Sequence, residues 1–485
     1  MCPLTSISPA ALTLKTQRVL FPIARNNRSS LIIIRQFTMK RSATTASLKD
    51  SLSAPKKHRH VKPKAPVAEY HLTPSRRDSE GEIIWPAPKD QMEAARKFIR
   101  DCVAAGERTL IVPDKDADGL TSGAILRNTL ILLGLDPKLV SAYIIKKGHR
   151  FNDETSSKDM ESYRPSFIFV LDQGSLKSPP LIDSPHRTLV IDHHHAEAED
   201  HPQGAAFVTA NDCPPVATSS LLAYLICRDL HEGVEESCGW LCAMGTHGDL
   251  GNSIKWEPPF PDMKATFKAQ TKKSINLGVA LVNAPRRTAA YNVPGAWEAL
   301  IEAVTARDLV NNKMLQAARA EVMHEVERCT HTPPKFSADG RIAVLRINSE
   351  AQVHPVIATR WAGHLKSAAL EVVMVVNEGY LPGLVNFSCR IPKCARDRDP
   401  PVNIIEILRE EASLAKDPTL RQRLGESFAR GHKEASGGIV PKAEFEEFME
   451  VLGVGEAKKP SGSPKRLQKD APKQGNTLLN YFSKG

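Results

Sequence analysis

The 485-residue sequence predicts an α/β protein in two domains, a parallel-sheet domain followed by a smaller α/β domain, with disordered basic tails. Three observations predict it. Short apolar runs alternate with helical stretches after residue 83, the pattern of a parallel sheet covered on both faces. Acidic and histidine motifs follow directly on those runs, where ligand sites of open α/β sheets lie. A Pro333-Pro334 pair then breaks the chain before a second set of short strands.

The elements follow in order. Residues 1–82 are rich in Ser, Pro and Lys, lack helical periodicity and are expected to be disordered. Pro88–Ala105 carries apolar residues at Met92, Ala95, Phe98, Ile99, Cys102 and Val103, an amphipathic helix ended by Gly106. Strands are expected at Thr109–Val112, Ala142–Ile145, Phe167–Leu171 and Thr188–Ile191, with a helix at Thr121–Leu133. Helices are expected at Thr218–Leu230 and around Ser237–Met244, the latter placing Cys238 and Cys242 toward the core. The first domain spans residues 83–295. Ala296–Glu327 reads as one long helix, with Trp297, Leu300, Ile301, Val304 and Leu315 apolar, inside a linker of residues 296–332. The second domain, residues 333–455, has strands at Ile342–Ile347, Ala369–Val376 and Val385–Arg390 and a helix at Asn403–Ala415. Residues 456–485 form a Lys/Pro/Ser-rich tail.

Charge is distributed unevenly. Residues 1–79 hold 15 Lys/Arg against 3 Asp/Glu, and residues 456–485 hold 7 against 2, so of the net +10 the middle carries −7. A nucleic-acid grip by the core must therefore come from a local basic channel. Nine cysteines without CxxC pairs fit a reducing compartment. No apolar run approaches the roughly 20 residues of a membrane span; Leu31–Ile34 is far too short. The first 49 residues contain eight Lys/Arg and no Asp or Glu, which matches a mitochondrial transit peptide. Met39 opens a shorter form, followed by the basic cluster Lys56-Lys-His-Arg-His60, a nuclear import pattern. Mitochondrial and nuclear forms from two start sites are expected.

Five motifs carry the chemistry: Asp114-Lys-Asp116-Ala-Asp118-Gly119, Asp172, Asp192-His193-His194, Gly248-Asp249, and Gly431-His432 with Gly437-Gly438. Carboxylates with imidazole suit divalent metals such as Mn²⁺, Mg²⁺ or Zn²⁺. The rival reading of Asp114–Gly119 as an EF-hand fails. That loop needs a glutamate six positions after its glycine, where Ile125 stands, and here a strand precedes the motif. His195 is expected to face solvent.

These motifs resemble those of the DHH phosphoesterase superfamily, and among them the RecJ-like exonuclease branch, over Thr109–Leu250 and more loosely Ile342–Val451. The resemblance implies that two Mn²⁺ or Mg²⁺ ions are bound by Asp114, Asp116, Asp118, Asp172, Asp192, His193 and Asp249. Asp116, His193 and His194 would be catalytic, with His194 on the phosphate or beside the attacking water. The second domain resembles the DHH-associated substrate-binding domain. Gly431, His432, Gly437 and Gly438 map onto its Gly-Gly-His motif, and Ser388 and Arg390 onto its Ser-x-Arg strand. Arg430 replaces the first glycine of that motif, and Val112-Pro113 replaces the His-Gly that often precedes the first one. No additional nucleic-acid-binding barrel is expected after residue 455. Lys146, Lys147, His149 and Arg150 are secondary candidates for substrate contact.

The implied function is metal-dependent hydrolysis of single-stranded DNA or RNA from an end. Two alternatives stand beside it: a phosphatase or nanoRNase acting on short oligonucleotides, nucleoside bisphosphates or pyrophosphate, and a non-catalytic replication factor of the Cdc45 type. The last twelve residues resemble a PCNA sliding-clamp peptide, with Leu478 three positions before the pair Tyr481-Phe482, although the usual Gln position holds Gly475.

Overall fold

The computed structural model describes residues 73–197 and 199–455. The transit-like segment, Met39, the Lys56–His60 cluster and the clamp-like Leu478, Tyr481 and Phe482 lie outside the described residues.

The first lobe contains α1 (Lys89–Ala105), β1 (Thr109–Pro113), α2 (Ala117–Leu132), β2 (Val140–Ala142), α3 (Glu154–Ser162), β3 (Phe167–Leu171), β4 (Arg187–Asp192) and β5 (Ala206–Thr209). There follow α4 (Ser219–Arg228), α5 (Gly233–Asp249), α6 (Lys264–Gln270), α7 (Lys272–Val282), α8 (Val293–Glu302), α9 (Ala306–Asn311) and α10 (Lys313–Cys329). The strands form a wholly parallel sheet in the order β2-β1-β3-β4-β5. Alternate residues feed two cores. Ile111, Phe169, Leu189 and Ile191 pack beneath α1, α2, α4 and α5, while Leu110, Val112, Ile168, Val170 and Val190 meet Tyr143, Phe151 and Met160 on the other face. That two-sided burial explains why these strands read as continuous apolar runs.

Local chemistry shifts several boundaries. The helix expected from Thr121 begins at Ala117, because the Asp116 carboxylate caps the backbone N–H groups of Asp118 and Gly119. The helix expected around Ser237–Met244 runs on through Asp249. Strand β2 lies earlier than Ala142–Ile145: Val140, Ser141 and Ala142 pair with β1. Beyond them the Tyr143 N–H still donates to the Ile111 carbonyl, and Tyr143 and Ile145 are buried in the core on that face. Strand β5 was not anticipated; only one of its four residues is buried, so its apolar signal is faint.

The expected long helix over Ala296–Glu327 is instead three helices, α8, α9 and α10. The Asp308 carboxylate accepts from the backbone N–H groups of Val304 and Thr305, which starts α9 afresh. Asn312 then caps α10 through the N–H of Leu315. Val304, expected on the apolar stripe, sits at the first break and is 79% exposed.

The second lobe comprises β6 (Lys335–Phe336), β7 (Ile342–Ile347), α11 (His354–His364), β8 (Val372–Asn377), β9 (Leu384–Arg390), α12 (Ile404–Ser413), α13 (Leu420–Arg423), β10 (Arg430–His432), β11 (Ala435–Pro441) and α14 (Lys442–Val451). Its mixed sheet has the order β10-β11-β9-β8-β7-β6. One face packs Phe387, Cys389, Val385 and Val440 beneath α12 and α14. The other packs Val373 and Val375 beneath α11 and the end of α10. Side-chain contacts join the lobes at the rim: Lys147 donates to the Glu350 carbonyl at 2.8 Å, and Arg150 donates to the Ser427 hydroxyl at 2.6 Å. These placements make Lys147 and Arg150 interlobe residues. Lys146 and His149 bind the local carboxylates of Asp159 and Asp153.

Candidate metal centre

The carboxyl ends of β1, β3 and β4 and the C-terminus of α5 converge on one spot. The turn after β1 is fixed to its neighbour by the Asp114 N–H donating to the Leu171 carbonyl. Gly119 lets α2 begin directly under that turn, since a Cβ there would lie 2.6 Å from the Asp114 carbonyl oxygen. Asp172 ends β3 in the left-handed region, with φ 60°. A non-glycine residue held there is strained, and such strain concentrates at functional sites.

Three overlapping groups result, each with its ligand atoms within 4.8 Å of one another: Asp114/Asp116/Asp172, Asp118/His193/Asp249, and Asp172/His193/His194. Asp172 and His193 each belong to two groups, the relation expected of residues lying between two neighbouring ions. The His193 Nε2 atom lies 3.2 Å from Asp249, 3.3 Å from Asp172 and 4.0 Å from Asp118. It is buried, yet none of these approaches has hydrogen-bond geometry.

The electrostatics are those of a site built for cations. Burial, then the neighbouring Asp249, pushes the Asp118 carboxyl up to about 6. Burial, then Asp118, raises Asp172 well above the usual carboxylate range. Burial works against a charged His193, but hydrogen-bonding proximity to Asp172 and Asp249 outweighs it and raises the ring to about 12. Burial also disfavours the Asp116 anion, yet Arg286 and the N–H groups of Gly119 and Asp118 hold it below its ordinary value. An orphaned buried imidazole nitrogen facing crowded carboxylates is what a bound divalent ion would satisfy. Hard oxygen donors with imidazole fit Mn²⁺ or Mg²⁺.

Asp192 stands apart. It belongs to none of the three groups. Its Oδ1 accepts from the His193 and His194 backbone N–H groups and from His194 Nδ1, the last at 2.8 Å. Its Oδ2 accepts from the Ser175 N–H and hydroxyl. Burial opposes its charge, but His194 and Ser175 hold it down at about 2. In place of the ligand expected from the sequence, the geometry gives a carboxylate that holds the Nδ1 side of the His194 ring. Asp118 has a second duty, since both its oxygens accept from the first N–H groups of α4, those of Ser219 and Ser220. His195 is exposed beside Glu197, as expected.

In the second lobe, register places Arg430 opposite Gly437, and Gly437 opposite Ser388. Residues His432, Ala435 and Arg390 form the next row. Ser388 and Arg390 lie on the face turned toward α11, where they pair with Val375 and Val373. Gly438 points to the other face; a Cβ there would meet the Phe387 ring at 2.6 Å. Gly431 has φ 110° and tight contact with Ala435, so its role in the hairpin is conformational. Arg390 is half-buried and donates to the Ser388 hydroxyl at 3.0 Å.

Sequence reasoning missed Arg286, Arg287 and Tyr291. Arg286 Nη2 lies 3.7 Å from Asp116, and burial followed by Asp114 raises the Tyr291 phenol. The only sequence signal was an Arg-Arg pair ahead of a helix, which any solvated turn also supplies. A concavity of about 460 Å³ lined by Trp85, Arg96, Arg228 and Pro259 involves none of these groups.

Residues 108–246 match the model of the DHH family, N-terminal domain. The single-stranded-DNA-specific exonuclease RecJ of Thermus thermophilus is 24% identical over 417 residues, covering 80% of this chain and 58% of its own length. The chain therefore spans little more than half of that curated relative. Among solved structures, RecJ of Thermus thermophilus in complex with Mn²⁺ gives a TM-score of 0.52 at 20% identity, covering 76% of this chain and 55% of that one. An exonuclease RecJ bound to manganese gives 0.50 at 20% identity, covering 80% and 95%. The DHH domain of a member of the s1p family of ribosomal proteins gives 0.54 at 16% identity, covering 76% and 92%. Within the first lobe, residues 108–246 thus match the DHH-family model, and the fold is shared with RecJ structures that hold manganese.

Proposed function

We propose that this chain, built on a DHH-family domain, is a metal-dependent phosphodiesterase that removes nucleotides from an end of single-stranded DNA or RNA. The observation that carries the reading is the overlap of three ligand groups through Asp172 and His193. Two divalent ions at such a site would polarise the scissile phosphate and lower the pKa of a bound water. The residues supply the rest. Asp114, Asp116, Asp118, Asp172, His193 and Asp249 would hold the ions. Asp192 fixes the His194 ring so that its Nε2 can hold a proton or a phosphate oxygen. Arg286, Arg287 and Arg390 present guanidinium forks suited to phosphate.

The similarity to a single-stranded-DNA-specific exonuclease supports a polymer substrate. Retention of the whole ligand series weighs against a non-catalytic replication factor. End-labelled single-stranded DNA, RNA and dinucleotides with Mn²⁺ test the reading, comparing the wild type with Asp116→Ala and His193→Ala. Metal-dependent trimming of polymers that both variants abolish is expected. Hydrolysis confined to dinucleotides or pyrophosphate would move the assignment to the small-substrate alternative.

We also infer that Leu478, Tyr481 and Phe482 dock on the PCNA sliding clamp, and that forms starting at Met1 and Met39 serve mitochondrion and nucleus. Equal retention of wild type and Tyr481→Ala/Phe482→Ala on immobilised clamp would end the first idea. Identical distribution of the two tagged forms would end the second. Among the described residues no helix is long and apolar enough to cross a membrane.

A further inference from the structure

The carboxylates of the metal centre differ in what holds them. Asp116 accepts from the N–H groups of Asp118 and Gly119, Asp118 from those of Ser219 and Ser220, and Asp172 from the Ser219 hydroxyl at 2.9 Å. Asp249 has no such donor among the described residues; its one ion-pair approach is that of His193, at 3.2 Å. It is also the last residue of α5, where a helix runs out of intrahelical partners and frays. The placement of its carboxylate therefore depends on whatever fixes that final turn.

His247, two residues earlier, fixes it. Its side chain is 4% exposed, and both ring nitrogens are engaged. Nδ1 lies 2.7 Å from the Asn276 side-chain oxygen in α7, and Nε2 accepts the indole N–H of Trp256 at 3.2 Å. An imidazole that accepts at Nε2 carries its proton on Nδ1, so it is neutral and donates to Asn276. The ring also stacks on Phe267 of α6, with centroids 5.6 Å apart and planes 14° from parallel. One side chain thus ties the end of α5 to α6, to α7 and to the chain between α5 and α6. Packing alone would favour an apolar residue here, since the hydrogen bonds of a buried imidazole largely offset its desolvation. On the opposite side, Gly248 lets the same turn lie against the start of α2; a Cβ there would meet the Ala117 Cβ at 3.1 Å. The turn is held between the helix that carries Asp118 and the three segments that His247 reaches.

We propose that His247 is a positioning residue for the divalent ion at Asp118, His193 and Asp249, acting through the last turn of α5. The Asp114/Asp116/Asp172 group contains no residue of α5 and is anchored separately. The inference rests on the proposed two-ion reading and deepens it by naming what sets the place of one ligand.

Calorimetric titration of metal-stripped protein with Mn²⁺, in the absence of substrate, reads the two ions separately. The wild type is expected to bind two. His247→Leu keeps apolar bulk but leaves Asn276 and Trp256 without their partner. It should weaken one ion by about 10–100-fold, the scale for losing an outer support of a metal ligand, and leave the other at wild-type affinity. His247→Gln can both donate to Asn276 and accept from Trp256, and should recover part of the loss. Trp256→Phe removes only the indole N–H and should weaken the same ion by a smaller factor; it carries the test if melting curves show that His247→Leu does not fold. A purely structural role would lower the melting temperature of the stripped protein with both affinities unchanged. That result overturns the proposal, as does equal weakening of both ions. A wild type that binds fewer than two ions overturns the proposal together with its two-ion premise. The expected split in affinities without hydrolysis of any oligonucleotide would instead sink the nuclease reading and leave the role of His247 standing.

Discussion

Replacing Asp192 with Asn isolates the role of the one motif carboxylate that the structure keeps out of the ligand groups. The substitution preserves shape and removes charge. An amide oxygen at the Oδ1 position would still accept from the His193 and His194 N–H groups. The amide nitrogen would then face the Ser175 N–H, 3.1 Å from the present Oδ2, as a donor against a donor. His194 would lose the charge-assisted partner that Nδ1 now has at 2.8 Å. Loss of a partner that orients a metal-site histidine costs about 10–100-fold in activity or metal affinity, equivalent to roughly 1.4–2.7 kcal/mol. Steady-state hydrolysis of an end-labelled strand across a Mn²⁺ titration measures it, with metal analysis of the purified variant alongside. Two bound ions with a rate lower by about 10–100-fold are expected. Unchanged activity would remove the orienting role, and a drop to one bound ion would make Asp192 a direct ligand after all.

Three further outcomes follow from the same geometry. In metal-free protein, Asp118 and Asp172 have folded pKa values above their unfolded ones, so the stability they contribute is complete below about 3.8 and is lost as pH rises through the folded value, about 6 for Asp118. For Asp118 this amounts to about 3 kcal/mol; the raised His193 and His194 decline in the same direction above about 6.5. The depressed Asp192 and Asp116 act only below about 3.8, so EDTA-treated protein should melt lower at about pH 8 than at about pH 5.5, with Mn²⁺ restoring more at the higher pH; the reverse order in calorimetry would contradict this balance. Gly119→Ala forces a Cβ to 2.6 Å from rigid backbone and should cost about 1–3 kcal/mol or more, together with metal-dependent activity, as a denaturant midpoint and a rate assay would show. Asp308→Ala removes the acceptor that starts α9 and should cost about 1 kcal/mol without changing the rate constant per folded molecule.

The sequence was most legible where burial and chemistry repeat a local pattern. Phe167–Leu171 is apolar throughout because both faces of β3 are covered, and the strand has the boundaries its composition implies. The acidic series was visible because each motif follows such a strand. What it left ambiguous was function within the motif: only the side-chain geometry shows Asp192 holding His194 while Asp172 and His193 lie between two groups. The helix over Ala296–Glu327 misled because apolar spacing continues across two capped breaks, and capping by Asp308 and Asn312 depends on rotamers that spacing does not encode. Arg286 and Arg287 were illegible for a different reason. Their partners lie far apart in the chain, as Arg286 does from Asp116, and they carry no local signature.

Helix α2 is buried on every side from Ala117 to Leu126, with α4 and α5 against it and the acidic motif at its first turn. Its amides can exchange with solvent only when the whole first lobe opens, so they belong to the most persistent cooperative unit of the molecule. The ligand scaffold and the global fold therefore share one lifetime. Thermal inactivation should coincide with unfolding rather than precede it.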